Sequence, residues 1–166
     1  MFDPLLSLSR AARFRVVELG ASDAGRIVRH LQRLPLEDRH SRFGLVLTDS
    51  ALATYVQHAT RRDADRLFGV SDAAGRILGF AHLYLTLPAA EIALSVDVAE
   101  RHRGLAATLL RHAIRAARIA GAARVVLPCL PDRVAVSALA RGAGMTFVNE
   151  DAMRHARLEL LPSRKV

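Results

Sequence analysis

Apolar and polar residues alternate along this chain in two rhythms, and the clearest example of each lies between residues 91 and 121. From 91 to 98, Ile92, Leu94, Val96 and Val98 alternate with Glu91, Ala93, Ser95 and Asp97, the period of two expected of a pleated strand. From 105 onward the period changes. Leu105, Leu109, Leu110, Ala113, Ile114 and Ala117 fall on one helical stripe, and Thr108, Arg111, Arg115 and Arg118 on the opposite one. Gly121 stands where a left-handed cap closes such a helix.

The same reading places elements along the rest of the chain. A strand is expected over 14–19. A helix over 23–34 follows, capped by Ala21-Ser22-Asp23 and stopped by Pro35. Residues 35–43 read as a polar turn or short helix, and Asp49-Ser50 as the cap of a helix over 51–59. Residues 67–71 and 76–87 form a hairpin around Asp72–Gly75, and Pro88 separates it from the central strand. A buried strand over 124–130, a helix over 134–141 and strands at 147–149 and 154–161 complete the order β-α-α-β-β-β-α-β-α-β-β. The helix at 105–121 connects two strands as a crossover, which requires them to be parallel.

Between the central strand and its helix stands Arg101-His102-Arg103-Gly104-Leu105-Ala106. A helix start offers backbone N–H groups without intrahelical partners and a partial positive charge. Gly104 lets a ligand approach the backbone, Ala106 keeps the first turn open, and Arg101 and Arg103 add forked donors. A phosphate or pyrophosphate fits such a junction. An ordinary connection with solvated arginines fits the spacing equally well.

The chain has 166 residues, 51% of them apolar and 24% charged, which indicates a single domain, 1–166, with a full core. Aromatics are 5% and Trp is absent, so that core is aliphatic. The net charge of +8 suits a polyanionic ligand, nucleic acid or an acidic protein surface without choosing among them. One cysteine, Cys129, excludes an intramolecular disulfide. Residues 1–8 lack the pattern of a secretory signal, and no apolar run reaches the roughly 20 residues of a membrane helix. The expected location is the cytoplasm, with no membrane partner.

Arg101-x-x-Gly104-x-Ala106, set between a strand and an apolar-striped helix, resembles the signature of the GNAT superfamily of acyl-CoA N-acyltransferases. The order of elements is similar to that fold over nearly the whole chain. The resemblance implies an α+β fold: a mixed, mostly antiparallel sheet with helices on both faces. It also implies that the strands at 91–98 and 124–130 splay apart around acetyl-CoA, the co-substrate. Three short stretches resemble bacterial protein-lysine acetyltransferases of the Pat type: Ala90-Glu91-Ile92-Ala93, Arg39-x-x-Arg42-Phe43, and Leu139-Ala140-Arg141-x-x-Gly144-Met145. The acceptor implied is a primary amine, a protein lysine first and a small molecule second.

Carried onto this chain, the resemblance makes Glu91 the general base. A lysine amine, with a pKa near 10.4, attacks only when neutral, and deprotonating it at pH 7 costs about 4–5 kcal/mol. Without the base role, Glu91 is a solvated strand-end carboxylate. The expected coenzyme A contacts are Val96, whose N–H would face the developing oxyanion, together with Val98, Arg101, Arg103, Gly104, Leu105, Ala106, Thr108 and Arg133. Two departures from the family stand out. Ala140 occupies the position of its Tyr general acid, leaving Ser137 as a weak substitute more readily read as bonded to its own helix. Arg133, beside Asp132, replaces an Asn before that helix.

The seven histidines show no paired ligand spacing, so no metal is expected. Cys129 reads as a buried structural thiol. Arg111, Arg115 and Arg118 form a wet basic stripe without base-stacking aromatics, which disfavours nucleic acid. A homodimer is left open. Three classes therefore remain: an N-acetyltransferase, a non-catalytic acyl-CoA sensor, and a basic nucleic-acid-binding domain.

Overall fold

The computed structural model describes residues 14–130, 132–150 and 153–160. The reading of residues 1–8 and the last residue of the expected final strand lie outside that range. Seven strands are present: β1 (Val17–Leu19), β2 (Arg66–Ser71), β3 (Ile77–Thr86), β4 (Ala89–Val96), β5 (Arg124–Pro128), β6 (Thr146–Glu150) and β7 (Met153–Glu159). The helices are α1 (Ala24–Arg33), α2 (Leu36–Phe43), α3 (Asp49–Ala59), α4 (Leu105–Ile119) and α5 (Val134–Gly142).

All seven strands join one sheet in the order β1-β2-β3-β4-β5-β7-β6. Every neighbouring pair is antiparallel except β4 and β5, which run parallel. Helix α4 is the crossover that makes this possible. The α+β architecture is the one the element order implies.

The sheet buries both faces. Ala81, Leu83, Ala90, Ile92, Val125 and Leu127 pack against the α4 stripe of Leu105, Leu109, Leu110 and Ala113. Leu105, Leu109 and Leu110 are almost completely buried, a gain of roughly 1.5–3 kcal/mol for each side chain. On the opposite face, Leu67, Ile77 and Phe80 pack under Ile27 and Leu31 of α1 and Leu52 and Val56 of α3. Gly79 of β3 permits the close approach of α4, since a Cβ there would lie 2.1 Å from Leu105 Cδ2.

Several boundaries differ from expectation for local reasons. Residues 36–43 form a full helix that ends at Gly44, whose φ is +75°. Helix α3 starts earlier than expected, because Thr48 supplies the cap and accepts the Ala51 N–H at 3.2 Å. Asp23 makes no capping bond to α1; its carboxylate accepts the Gly20 N–H and the Arg26 guanidinium. The first strand is reduced to three residues. Strand β4 runs from Ala89 to Val96, two residues earlier at each end, and Val98–Glu100 form a short 3-10 turn. The hairpin turn is as expected: the Asp72 carboxylate accepts the N–H groups of Ala74 and Arg76 at 2.9 Å.

Candidate active site

The site begins with a gap in the sheet. Strands β4 and β5 pair only through Ala89–Arg124, Ala90–Val125 and Glu91–Val126. Beyond Glu91, the β5-facing edge of β4 has no partner strand among the described residues. The Asp97 N–H bonds the Leu78 carbonyl of β3 at 2.8 Å, and Val96 stands opposite Gly79 in an unshifted antiparallel register. Alternation then turns the N–H groups of Leu94 and Val96 away from β3, toward the open gap. Two unpaired amides in a row suit an extended amide-bearing chain, and either suits an oxyanion.

The loop at the foot of α4 follows directly. Residues 101–104 are exposed. His102 has φ +60° and Gly104 φ +82°, and this pair of left-handed residues folds the chain back into the helix. The Thr108 N–H is the first to return to a carbonyl, that of Gly104 at 3.0 Å. The amides of Leu105, Ala106 and Ala107 therefore precede the helical ladder and point out of its start.

The expected contacts divide into three groups. Gly104, Ala106 and Thr108 lie at the open helix start, with the Thr108 hydroxyl donating to the Gly104 carbonyl at 2.9 Å. Leu105 contributes only its amide, because its side chain lies in the core. The arginines are already engaged: Arg101 with Asp38 of α2, Arg103 with Glu100, and Arg133 with the Glu37 carbonyl at 2.9 Å. Val98 sits exposed in the turn after β4, beyond the open edge.

Glu91 is exposed at the mouth of the gap, the last β4 residue paired with β5. It shares a sheet face with Ala93 and Ser95 of β4 and with Tyr84 and His82 of β3, which stand opposite Glu91 and Ala93. That face carries α1 and α3, while α4 covers the other. The open start of α4 follows the unpaired edge of β4, and Glu91 stands at the other end of that edge.

Two polar chains on this face were not legible in the sequence. In one, Arg42 donates to the Tyr55 hydroxyl at 3.2 Å, which contacts His82 Nδ1 at 2.5 Å, and His82 Nε2 meets Asp65 Oδ2 at 2.9 Å. The Phe43, Tyr55 and Phe80 rings surround the Arg42 guanidinium at 5.2–6.0 Å. In the other, buried His30 contacts Asp97 Oδ1 at 3.0 Å and Ser95 Oγ at 2.9 Å. His82 sits among apolar residues in sequence and His30 on a mixed helix, and only packing assigns them partners.

The remaining candidates resolve simply. The Ser137 hydroxyl is buried and has no hydrogen-bond partner among the described residues, in contrast to the expected bond to its own helix. Cys129 is buried, its Sγ contacts the Leu127 carbonyl at 3.2 Å, and burial pushes its pKa up. No group of three potential metal ligands occurs among the described residues. None of the described helices is long and apolar enough to cross a membrane.

A sheet split between two parallel strands, with bare helix-start amides below and a carboxylate at the mouth, defines an acyl-carrier-dependent transferase. The chain belongs to the acetyltransferase (GNAT) family, whose model matches residues 29–145. Its fold is similar to the GNAT domain of S. lividans PAT, at TM-score 0.77 and 24% identity over 89% of this chain and 90% of that one. It is also similar to the ribosomal-protein-S18-alanine N-acetyltransferase from Escherichia coli, at TM-score 0.67 and 16% identity over 92% and 99%. A third similar structure is the PaiA N-acetyltransferase from Thermoplasma acidophilum in complex with coenzyme A, at TM-score 0.65 and 12% identity over 89% and 99%. No curated protein matches the chain. The family makes the protein an acyltransferase that uses acetyl-CoA.

Proposed function

We propose that this protein transfers an acetyl group from acetyl-CoA to a primary amine, with a protein lysine as the leading acceptor, by direct attack of the amine on the thioester. The observation that carries this reading is the common gap: the open β4 edge, the unpaired amides at the start of α4, and Glu91 at the mouth all border it. The preference for lysine rests on the resemblance of residues 39–43, 90–93 and 139–145 to Pat-type enzymes.

The α4 amides bind the pyrophosphate, where the helix dipole favours anionic oxygens. The β4 edge pairs with the pantetheine amides. As the amine adds, charge grows on the thioester oxygen, and a backbone N–H on β4 meets it; such a donor contributes about 3–4 kcal/mol. Strand spacing favours Leu94 over the expected Val96. Leu94 lies about 10 Å along the strand from Glu91, and Val96 about 16 Å. Only the shorter span lets Glu91, through one water, reach an amine attacking that carbonyl. Glu91 takes the proton of the entering ammonium. Across the reaction, R–NH3+ and acetyl-CoA yield the amide, CoA–SH and one proton. The thiolate leaves without a tyrosine acid, since Ala140 occupies that place.

Thiol release with a lysine-containing peptide tests the reading. Glu91→Gln keeps the side chain's size and is expected to lower kcat by about 100-fold or more, leaving the KM for acetyl-CoA unchanged. Wild-type turnover in this variant, with binding intact, removes Glu91 from the mechanism.

A further inference from the structure

The chain that links Asp65, His82, Tyr55 and Arg42 has a direction set by chemistry. Asp65 accepts the Arg62 Nε–H at 3.2 Å on one oxygen and meets His82 Nε2 on the other. An ionised carboxylate only accepts, so the proton of neutral His82 sits on Nε2 and Nδ1 presents its lone pair. The short contact at Nδ1 is therefore the Tyr55 hydroxyl donating to His82. Arg42 Nη2 donates to the phenol oxygen from the other side. The Tyr55 oxygen then gives one hydrogen bond and accepts one, which leaves one lone pair unused.

That lone pair lies on the same sheet face as Glu91. His82 stands opposite Ala93, and Ala93 separates Glu91 from Ser95 along that face. Ala93 presents only a methyl group at this position. Tyr55, Tyr84 and Arg42 are only partly buried, whereas His82 and Asp65 are 7% and 9% exposed. The His82–Asp65 end of the network is sealed, Arg42 Nε and Nη1 are buried without a partner among the described residues, and Tyr55 lies over the sheet face that carries Glu91. The field of Glu91 acts on both Tyr55 and Arg42, which places all three groups in one electrostatic neighbourhood.

We propose that Tyr55, backed by His82 and Asp65, accepts a proton from the acceptor amine during transfer. This inference rests on the acetyltransferase reading above and adds to it a second proton acceptor. An entering ammonium must lose two protons before the amide is complete. Glu91, at the mouth, takes the first. When the neutral amine attacks, its nitrogen carries a positive charge, and the second proton passes to the Tyr55 oxygen as the phenol proton moves to His82 Nδ1. The imidazolium formed faces the Asp65 carboxylate. The O–H bond of Tyr55 is broken and remade, no electron is transferred, and the proton returns along the same chain to solvent or to the leaving thiolate. Tyr55 is the catalytic residue of this step; His82, Asp65 and Arg42 position it.

The relay works only while His82 is neutral. The charged groups around it are Asp65 and Arg62 from the loop before β2 and Arg42 from α2, with the phenols of Tyr55 on α3 and Tyr84 on β3 beside it. Burial first, then Arg42 and Arg62, lower its pKa below 6.5, against the raising effect of Asp65. The relay is therefore open at neutral pH and closes only as pH falls below the ordinary imidazole range.

Tyr55→Phe keeps the ring packing and removes the hydroxyl. The expected result is a fall in kcat of about 10- to 100-fold, an unchanged KM for acetyl-CoA, and loss of the acid limb that His82 protonation gives the wild type at acid pH. Asp65→Asn, which reverses the His82 tautomer, should lower kcat in the same way. Because either variant could lose the fold, the wild type with 3,5-difluorotyrosine at both tyrosines supplies a third measurement, and its kcat should change with the acidity of the phenol. Folded Tyr55→Phe protein with wild-type kcat and pH profile overturns the relay, as does a kcat insensitive to fluorination. A wild type that releases no thiol with any amine overturns the acetyltransferase reading itself, which separates the two failures.

Discussion

At the level of single residues, His30 ties the stability of the fold to pH. It is completely buried between α1 and the sheet, in contact with Asp97, Ser95 and the Ile77 carbonyl. Burial lowers its pKa to about 4, with Arg42 and Arg33 adding to the effect and Asp97 opposing it. In the unfolded chain it titrates near 6.5. Protons therefore bind the unfolded state more readily, and stability declines as pH falls from about 6.5 to about 4. The full loss from this one side chain is about 3 kcal/mol. Thermal melts between pH 7 and 4 should show the decline, and His30→Gln should flatten it. An unchanged slope in that variant would move the acid sensitivity to another group.

At the level of elements, α2 ties together the two halves of the site. Its first turn holds one arginine from the loop before α4 and one from the start of α5, Asp38 on Arg101 and Glu37 near Arg133. Its last turn supplies Arg42 to the Tyr55 chain. Pyrophosphate approaching the start of α4 competes with Asp38 for Arg101. Asp38→Asn should therefore tighten acetyl-CoA binding, by about two- to fivefold, since partly exposed ion pairs contribute about 0.2–1 kcal/mol. Calorimetric titration would measure it. Weaker binding in the variant would mean that Asp38 holds Arg101 in its binding pose rather than away from it.

At the level of the whole molecule, the net charge of +8 acts on every anion that approaches. Acetyl-CoA at about 100 times its Kd should stabilise the fold by about 2.7 kcal/mol, a rise in Tm on the order of 5–10 °C. Salt should reduce that rise through screening of the loop. A melt unaffected by acetyl-CoA at low salt would contradict a bound pyrophosphate at residues 101–106.

Periodicity and local chemistry along the chain were enough to specify the element order (apart from the full helix at Leu36–Phe43), the parallel β4–β5 pair and the glycine turn that opens α4. These depend on neighbours in sequence: alternation along β4, the stripe on α4, and Gly104 at a helix start. The same local information put Glu91 at the head of the central strand, which in the structure begins two residues earlier, at Ala89. Tertiary structure alone decided which amides of β4 face the gap, because that depends on register against β3. It also decided that Arg101, Arg103 and Arg133 are already paired, and that Arg42, Tyr55, Asp65 and His82 meet. The bonded partners in the Tyr55 chain are 13, 27 and 17 residues apart, and Arg101 and Asp38 are 63 apart; a side chain's hydrogen bonds across such spans are set by how helices pack on a sheet, which no local pattern encodes.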